Sequence, residues 1–223
     1  MLGRAAAAIL VLSAGPWSAA SAAGESGFYI GGDFGVELRT YGQSDLSGAL
    51  QSTFEQGGED LALTSTSLRK DRTLWSADVG YMASPYFSVE ASYFDLGELK
   101  YQAAGTETSS YYGTAPVSVD IHIKSQGPAL ALVGVLPLSD AWQINVRLGA
   151  YEGKTTTDYT TLAGTGSDSQ TSTSLLGGVG TAYIFGAHWM VRLDYVHLDH
   201  LDEKVLGRAF DVDLMKTGVA YVF

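Results

Sequence analysis

From residue 28 onward the chain alternates apolar and polar positions with period two. In FYIGGDFGVELR, residues 28–39, one face carries Phe28, Ile30, Phe34, Val36 and Leu38. The other carries Tyr29, Gly31, Asp33, Gly35, Glu37 and Arg39. Successive side chains of a strand point to opposite sides, so this is a strand with one apolar face. The same alternation returns in residues 73–82, 86–95, 117–136, 142–152, 173–185, 189–198 and 211–223, which predicts eight strands. In 117–136 the apolar set is Val117, Val119, Ile121 and Ile123, opposite Asp120, His122 and Lys124. Gly127-Pro128 predicts a bulge in that run, because proline cannot donate to a ladder.

The connections alternate in length. Ala83-Ser84-Pro85, Pro137-Leu138-Ser139-Asp140 and Gly186-Ala187-His188 read as tight hairpin turns. The other four, at 41–71, 96–116, 153–172 and 199–210, are long and rich in Ser, Thr, Gly, Asp and Glu. The third, TTTDYTTLAGTGSDSQTST, has so little apolar content that a mobile loop is expected. Short turns at one end and long loops at the other put the two ends of the sheet in different environments. That asymmetry belongs to even-stranded barrels of outer membranes. The expected fold is all-β: an eight-stranded antiparallel up-and-down transmembrane barrel formed by residues 24–223.

Which face meets lipid is read from three features. The polar face mixes a few charges with Gly31, Gly35, Gly80, Gly149, Gly178, Gly180, Gly218 and Ala220. Small residues of this kind suit a narrow interior better than a solvated surface. Trp142, Phe185, Trp189 and Phe223 lie beside the short turns, as an interfacial girdle does. The apolar strips are nearly free of charge over about ten residues, the length of a tilted membrane-spanning strand. A secreted lipocalin-like barrel would share the alternation but not the girdle.

Composition narrows the function. The formal net charge of -11 argues against a nucleic-acid partner. Cysteine is absent, which excludes disulfides, thiolate metal sites and a cysteine nucleophile. No run of 18 apolar residues exists to form a spanning helix. Residues 1–23 read as a signal peptide: Arg4 gives the positive start, Ala5 to Ala14 the apolar stretch, and Ala20-Ser21-Ala22 the cleavage signal. Its removal would leave a net charge of about -12.

The opening FYIGGDFGV, the segment WMVRLDYVHLD and the terminal GVAYVF carry a family resemblance. Residues 24–223 resemble the small eight-stranded outer-membrane barrels similar to the transmembrane domain of outer-membrane protein A. The resemblance implies a Gram-negative outer-membrane location after export to the periplasm, with lipid and lipopolysaccharide as surroundings. It also implies that Phe223 is read by the barrel-assembly machinery. The peptidoglycan-binding domain of longer members is not found before Phe223, so no cell-wall tether is expected.

On the parity above, Asp33, Glu37, Asp78, Glu90, Arg147, Arg192, Asp194 and Lys216 point inward. Buried charges must pair, so these residues predict an interior ion-pair network. Eight strands enclose only enough room for side chains, which favours a plug over a channel. No G-x-S-x-G, Walker or H-E-x-x-H motif occurs. His197, Asp199, His200 and Asp202 form a polar cluster that reads as a solvated loop edge. No cofactor, metal or catalytic set is expected. The leading reading is a structural or surface-interaction barrel whose long loops lie outside the cell, with an unidentified extracellular partner. A small ion-conducting pore and a lipid A-modifying enzyme are the alternatives.

Overall fold

The computed structural model describes residues 27–39, 42–70, 73–109, 111, 113–139, 141–162, 164–186, 188–203 and 208–223. The expected signal peptide, residues 1–23, lies outside them. So do Asp71, Arg72, Tyr112 and Asp140, and the side chains of Arg39, Lys70, His200 and Asp202. The elements in chain order are β1 (Gly27–Arg39), α1 (Gln43–Gln56), β2 (Glu59–Lys70), β3 (Thr73–Ser84) and β4 (Phe87–Ser109). They continue with β5 (Gly113–Pro137), β6 (Trp142–Thr161), β7 (Gly164–Phe185), β8 (Trp189–Glu203) and β9 (Arg208–Val222). Every adjacent pair is antiparallel. Going round, β1, β3, β4, β5, β6, β7, β8 and β9 form a ring, which β9 closes onto β1. β2 lies outside the ring and, among the described residues, pairs only with the upper part of β4.

The expected eight-stranded barrel is therefore present, and the long connections differ from expectation. The described residues of 96–116 and 153–172 lie almost entirely in strands. β4 and β5 run on as a hairpin to Ser109↔Gly113, and β6 and β7 to Thr161↔Gly164. The segment expected to be mobile is a regular ladder, with Thr157 opposite Asp168. Its many threonines are β-branched and suit a pleated strand, whatever their polarity. Within connection 41–71, Gln43–Gln56 form α1 and Glu59–Lys70 form β2. Asp45 Oδ2 accepts the Gly42 N–H at the start of α1. Leu46, Ala49 and Leu50, spaced i, i+3, i+4, give the helix its buried face.

β5 runs from one environment into the other without a break. Its odd positions from Val119 to Val135 face inward and its even positions outward. In the lower part the outward residues are Leu130, Leu132 and Leu136, about half exposed or more. In the upper part they are Asp120, His122, Lys124 and Gln126. The outward face thus turns from polar to apolar near Pro128, which marks the membrane boundary. Val119, Ile121 and Ile123, expected on the apolar outer strip, instead face inward above that boundary. They form a second core with Leu46, Ala49, Leu50, Leu61 and Tyr101. Above lipid the polarity must be that of a soluble protein, so the same strand carries both patterns.

The expected bulge at Gly127-Pro128 is also displaced. β5 keeps one register with β6 on either side of these residues. The extra residue is on the facing strand, at Leu96-Gly97 of β4, where the register with β5 shifts between Asp95 and Glu98. Gly97 takes φ +80°, the left-handed region that glycine tolerates. Its N–H donates to Asp95 Oδ1 at 2.9 Å. At this bulge β4 exchanges neighbours, from β3 below to β2 above.

The boundary can be tested on one face of one strand. Leu132→Arg should cost about 2–4 kcal/mol in a lipid bilayer. Gln126→Arg, on the same face above Pro128, should change stability by less than about 0.5 kcal/mol. Urea titration of the refolded variants in bilayers checks the contrast.

Candidate functional site

The inward face of the ring gathers charges from most of its strands. Arg192 on β8 is the hub. Its Nη2 donates to Asp33 Oδ1 on β1 at 2.9 Å and to Asp78 Oδ1 on β3 at 2.7 Å. Its Nη1 donates to Glu90 Oε2 on β4 at 3.0 Å. β8 and β4 are four places apart in the ring, so this side chain crosses the lumen. Lys216 on β9 donates to Asp33 Oδ2 at 2.5 Å and lies 5.1 Å from the centre of the Phe94 ring. Tyr29 donates to Glu90 Oε2 at 2.9 Å, and Ser76 to Asp33 Oδ2 at 3.0 Å. A second pair joins Arg147 on β6 to Asp194 on β8 at 2.7 Å. Glu37 shares the inward parity but sits higher, opposite Leu214, and is half-buried.

The room for these side chains comes from glycines. Gly31 is the cross-strand partner of Asp78, Gly80 of Glu90 and Gly180 of Asp194. Gly178 faces Arg147, Gly218 lies between Arg192 and Asp33, and Gly35 is opposite Lys216. A Cβ at Gly31 would come within 2.6 Å of Asp78 Oδ2 and 2.9 Å of Arg192 Nη2. At Gly180 and Gly218 it would overlap the carboxylates of Asp194 and Asp33. Each long charged side chain lies across the place where its neighbour has none.

Trp142, Phe185, Trp189 and Phe223 lie on the outward face at the short-turn end, 41 to 69% exposed. Trp142 meets Tyr183 with ring centres 4.9 Å apart, and Trp189 meets Tyr221 at 5.2 Å. Phe223 N–H donates to Phe28 O at 2.9 Å, which extends the β9–β1 seam to the chain's last residue. Aromatics also mark the upper boundary, where Trp75 and Tyr93 lie 6.2 Å apart. The sequence shows this second belt less plainly, because these rings lie at the long-connection ends of the runs 73–82 and 86–95, away from the short turns.

Two polar groups occupy the outward face at the upper boundary. His197 Nδ1 is 2.7 Å from Asp213 Oδ1, which also accepts from Tyr195 OH at 2.7 Å. His197, Asp199 and Asp211 hold potential ligand atoms within 4.8 Å of one another. The expected cluster contains only neighbours in sequence; Asp211 and Asp213 join His197 and Asp199 across the β8–β9 ladder. On the other side, Glu98 sits among Lys100, His122 and Lys124 at 2.9, 3.1 and 3.5 Å. Partial burial acts to raise the Glu98 carboxyl. Hydrogen bonds from Lys100 and His122 outweigh it and hold the group below the usual carboxylate range.

A closed ring of eight strands, apolar outside and charged within, defines a transmembrane β-barrel of the outer-membrane class. Residues 5–223 match the family described as outer membrane protein beta-barrel domain, and the chain belongs to that family. It resides in the outer membrane of a Gram-negative cell, surrounded by lipid and lipopolysaccharide. No curated protein matches the sequence. Among solved structures it is similar to Ail, the attachment invasion locus protein of Yersinia pestis, at 16% identity and a TM-score of 0.45. That match covers 90% of this chain and 99% of that one. It is similar to OprG of Pseudomonas aeruginosa at 15% identity and a TM-score of 0.45, covering 95% and 99%. It is similar to the outer membrane protease OmpT of Escherichia coli at 10% identity and a TM-score of 0.44, covering 97% and 96%.

Replacing the hub exposes the energetics. Arg192→Met leaves three carboxylates buried around an apolar side chain and should cost about 3–5 kcal/mol. Denaturant unfolding of the refolded variant measures the loss. Wild-type stability in the variant would show that the three contacts contribute nothing net.

Proposed function

We propose that the protein is a non-conducting, non-catalytic barrel that holds a folded interaction surface outside the cell. The observation that carries this reading is the second core, in which α1, β2, β4 and β5 bury ten apolar residues above the membrane boundary. A chain that only needed to join strands would not invest that much buried surface in its connections. A pre-ordered surface binds without a large ordering cost. Tyr111 and Leu162, 91% and 69% exposed, sit at the tips of the β4–β5 and β6–β7 hairpins and offer apolar anchors to a partner. Binding of cells carrying the protein to host or bacterial surfaces should fall when Tyr111→Ala and Leu162→Ser are combined, with surface level unchanged. Equal binding by the double variant would count against these tips.

The crossed lumen supports the non-conducting part. Planar-bilayer recording of the refolded chain should give no steady conductance. A steady conductance lost on changing Arg147 or Arg192 would replace this reading by a pore. For the enzyme alternative, mass spectrometry of lipid A from cells with and without the protein should show the same acyl composition.

Two processing roles belong to the same reading. Residues 1–23 act as a cleaved signal peptide, and Phe223 addresses the chain to the barrel-assembly machinery. Deleting Phe223 should lower outer-membrane levels in cell fractionation while refolding in detergent persists, since one interfacial ring contributes only about 1.5–3 kcal/mol of burial. Normal outer-membrane levels without Phe223 would remove the assembly role.

A further inference from the structure

We propose that the barrel interior is a binding site for one proton, and that Asp78 carries it. Seven charged side chains among the described residues are at most 3% exposed. Four are carboxylates, Asp33, Asp78, Glu90 and Asp194. Three are cations, Arg147, Arg192 and Lys216. Fully ionised, the set carries one negative charge with no buried partner. In a low-dielectric interior such a charge is removed by protonation rather than tolerated.

The sharing of cations identifies the group. Asp33 receives Arg192 and Lys216, and Ser76 as well. Glu90 receives Arg192, Tyr29 and Ser92. Asp194 accepts no hydrogen bond among the described residues, but it lies 2.7 Å from Arg147 Nη1 in an ion pair that no other carboxylate contacts, so its charge has a cation of its own. Asp78 has one donor, Arg192 Nη2, and shares it with Asp33. Among the described residues nothing donates to Asp78 Oδ2. That oxygen lies against Gly31, where the missing side chain leaves space for a hydroxyl hydrogen. The groups around Asp78 are Arg192 from β8, Asp33 and Tyr29 from β1, Glu90 from β4 and Lys216 from β9. With Asp78 neutral, the seven charges sum to zero.

The sign of the pH effect follows. A carboxyl that holds its proton in the fold stabilises the fold below its unfolded pKa, and that contribution is lost as pH rises through the folded pKa.

Infrared spectroscopy of the refolded full-length chain at neutral pH should show the carbonyl stretch of an un-ionised carboxylic acid, at higher frequency than the carboxylate bands. Asp78→Asn, which mimics the protonated acid in shape and charge, should fold, lose that band and flatten the alkaline fall of the urea midpoint. Lys216→Met, which removes a cation, should enlarge the band if it folds. No acid band in the wild type, or a band that survives Asp78→Asn, overturns the proposal. So does a missing band together with a stability that rises specifically with sodium, which would put a metal cation in the proton's place.

Discussion

Hydrocarbon offers no partner to a backbone amide, and the rest of this architecture follows from that. Every N–H and C=O at membrane depth must be paired within the protein, so the sheet has to close. Closure with eight strands fixes a narrow lumen. The narrow lumen in turn fixes what the inward positions can be: small residues beside long ones. Glycine opposite each buried charge is the sequence-level result, and the carboxylates around Arg192 are its chemical one.

The ring was readable because lipid enforces a strict period of two on its outer face. Val146 and Leu148 on β6, or Val191 and Leu193 on β8, have no freedom to be polar. What lay above the membrane was not readable by the same rule. There the outward residue is Lys124 and the inward one Ile123, and alternation alone does not say which side is wet. α1 did carry a signal, Leu46, Ala49 and Leu50 at helical spacing, but it was hidden in a segment whose Ser, Gly and Gln content reads as loop. In the threonine-rich run 153–172 polarity suggests a loop, but β-branching is the property that decides.

The inward parity of the charged residues was legible, because it needs only local alternation. Their partners were not, because those depend on ring order. That Arg192 on β8 should meet Glu90 on β4 requires knowing that the two strands are diametrically opposed. The upper cluster gives the same lesson on a smaller scale. His197 was grouped with His200 and Asp202, its neighbours in sequence, whereas the ladder brings Asp213 to its ring.

The order of strand pairing has a kinetic consequence. From β3 to β9 each neighbour in the ring is also the next strand in sequence, joined by a hairpin that closes cheaply and fast. The β9–β1 seam joins opposite ends of the chain and must wait until all the others exist. Until then β1 and β9 are open edges, a hazard both in water and in lipid. The charge cluster also straddles that seam, since Asp33 is on β1 while Arg192 and Lys216 are on β8 and β9. A half-assembled sheet therefore keeps its cations and part of its carboxylates apart, and the final zipping of the seam is also the moment of neutralisation.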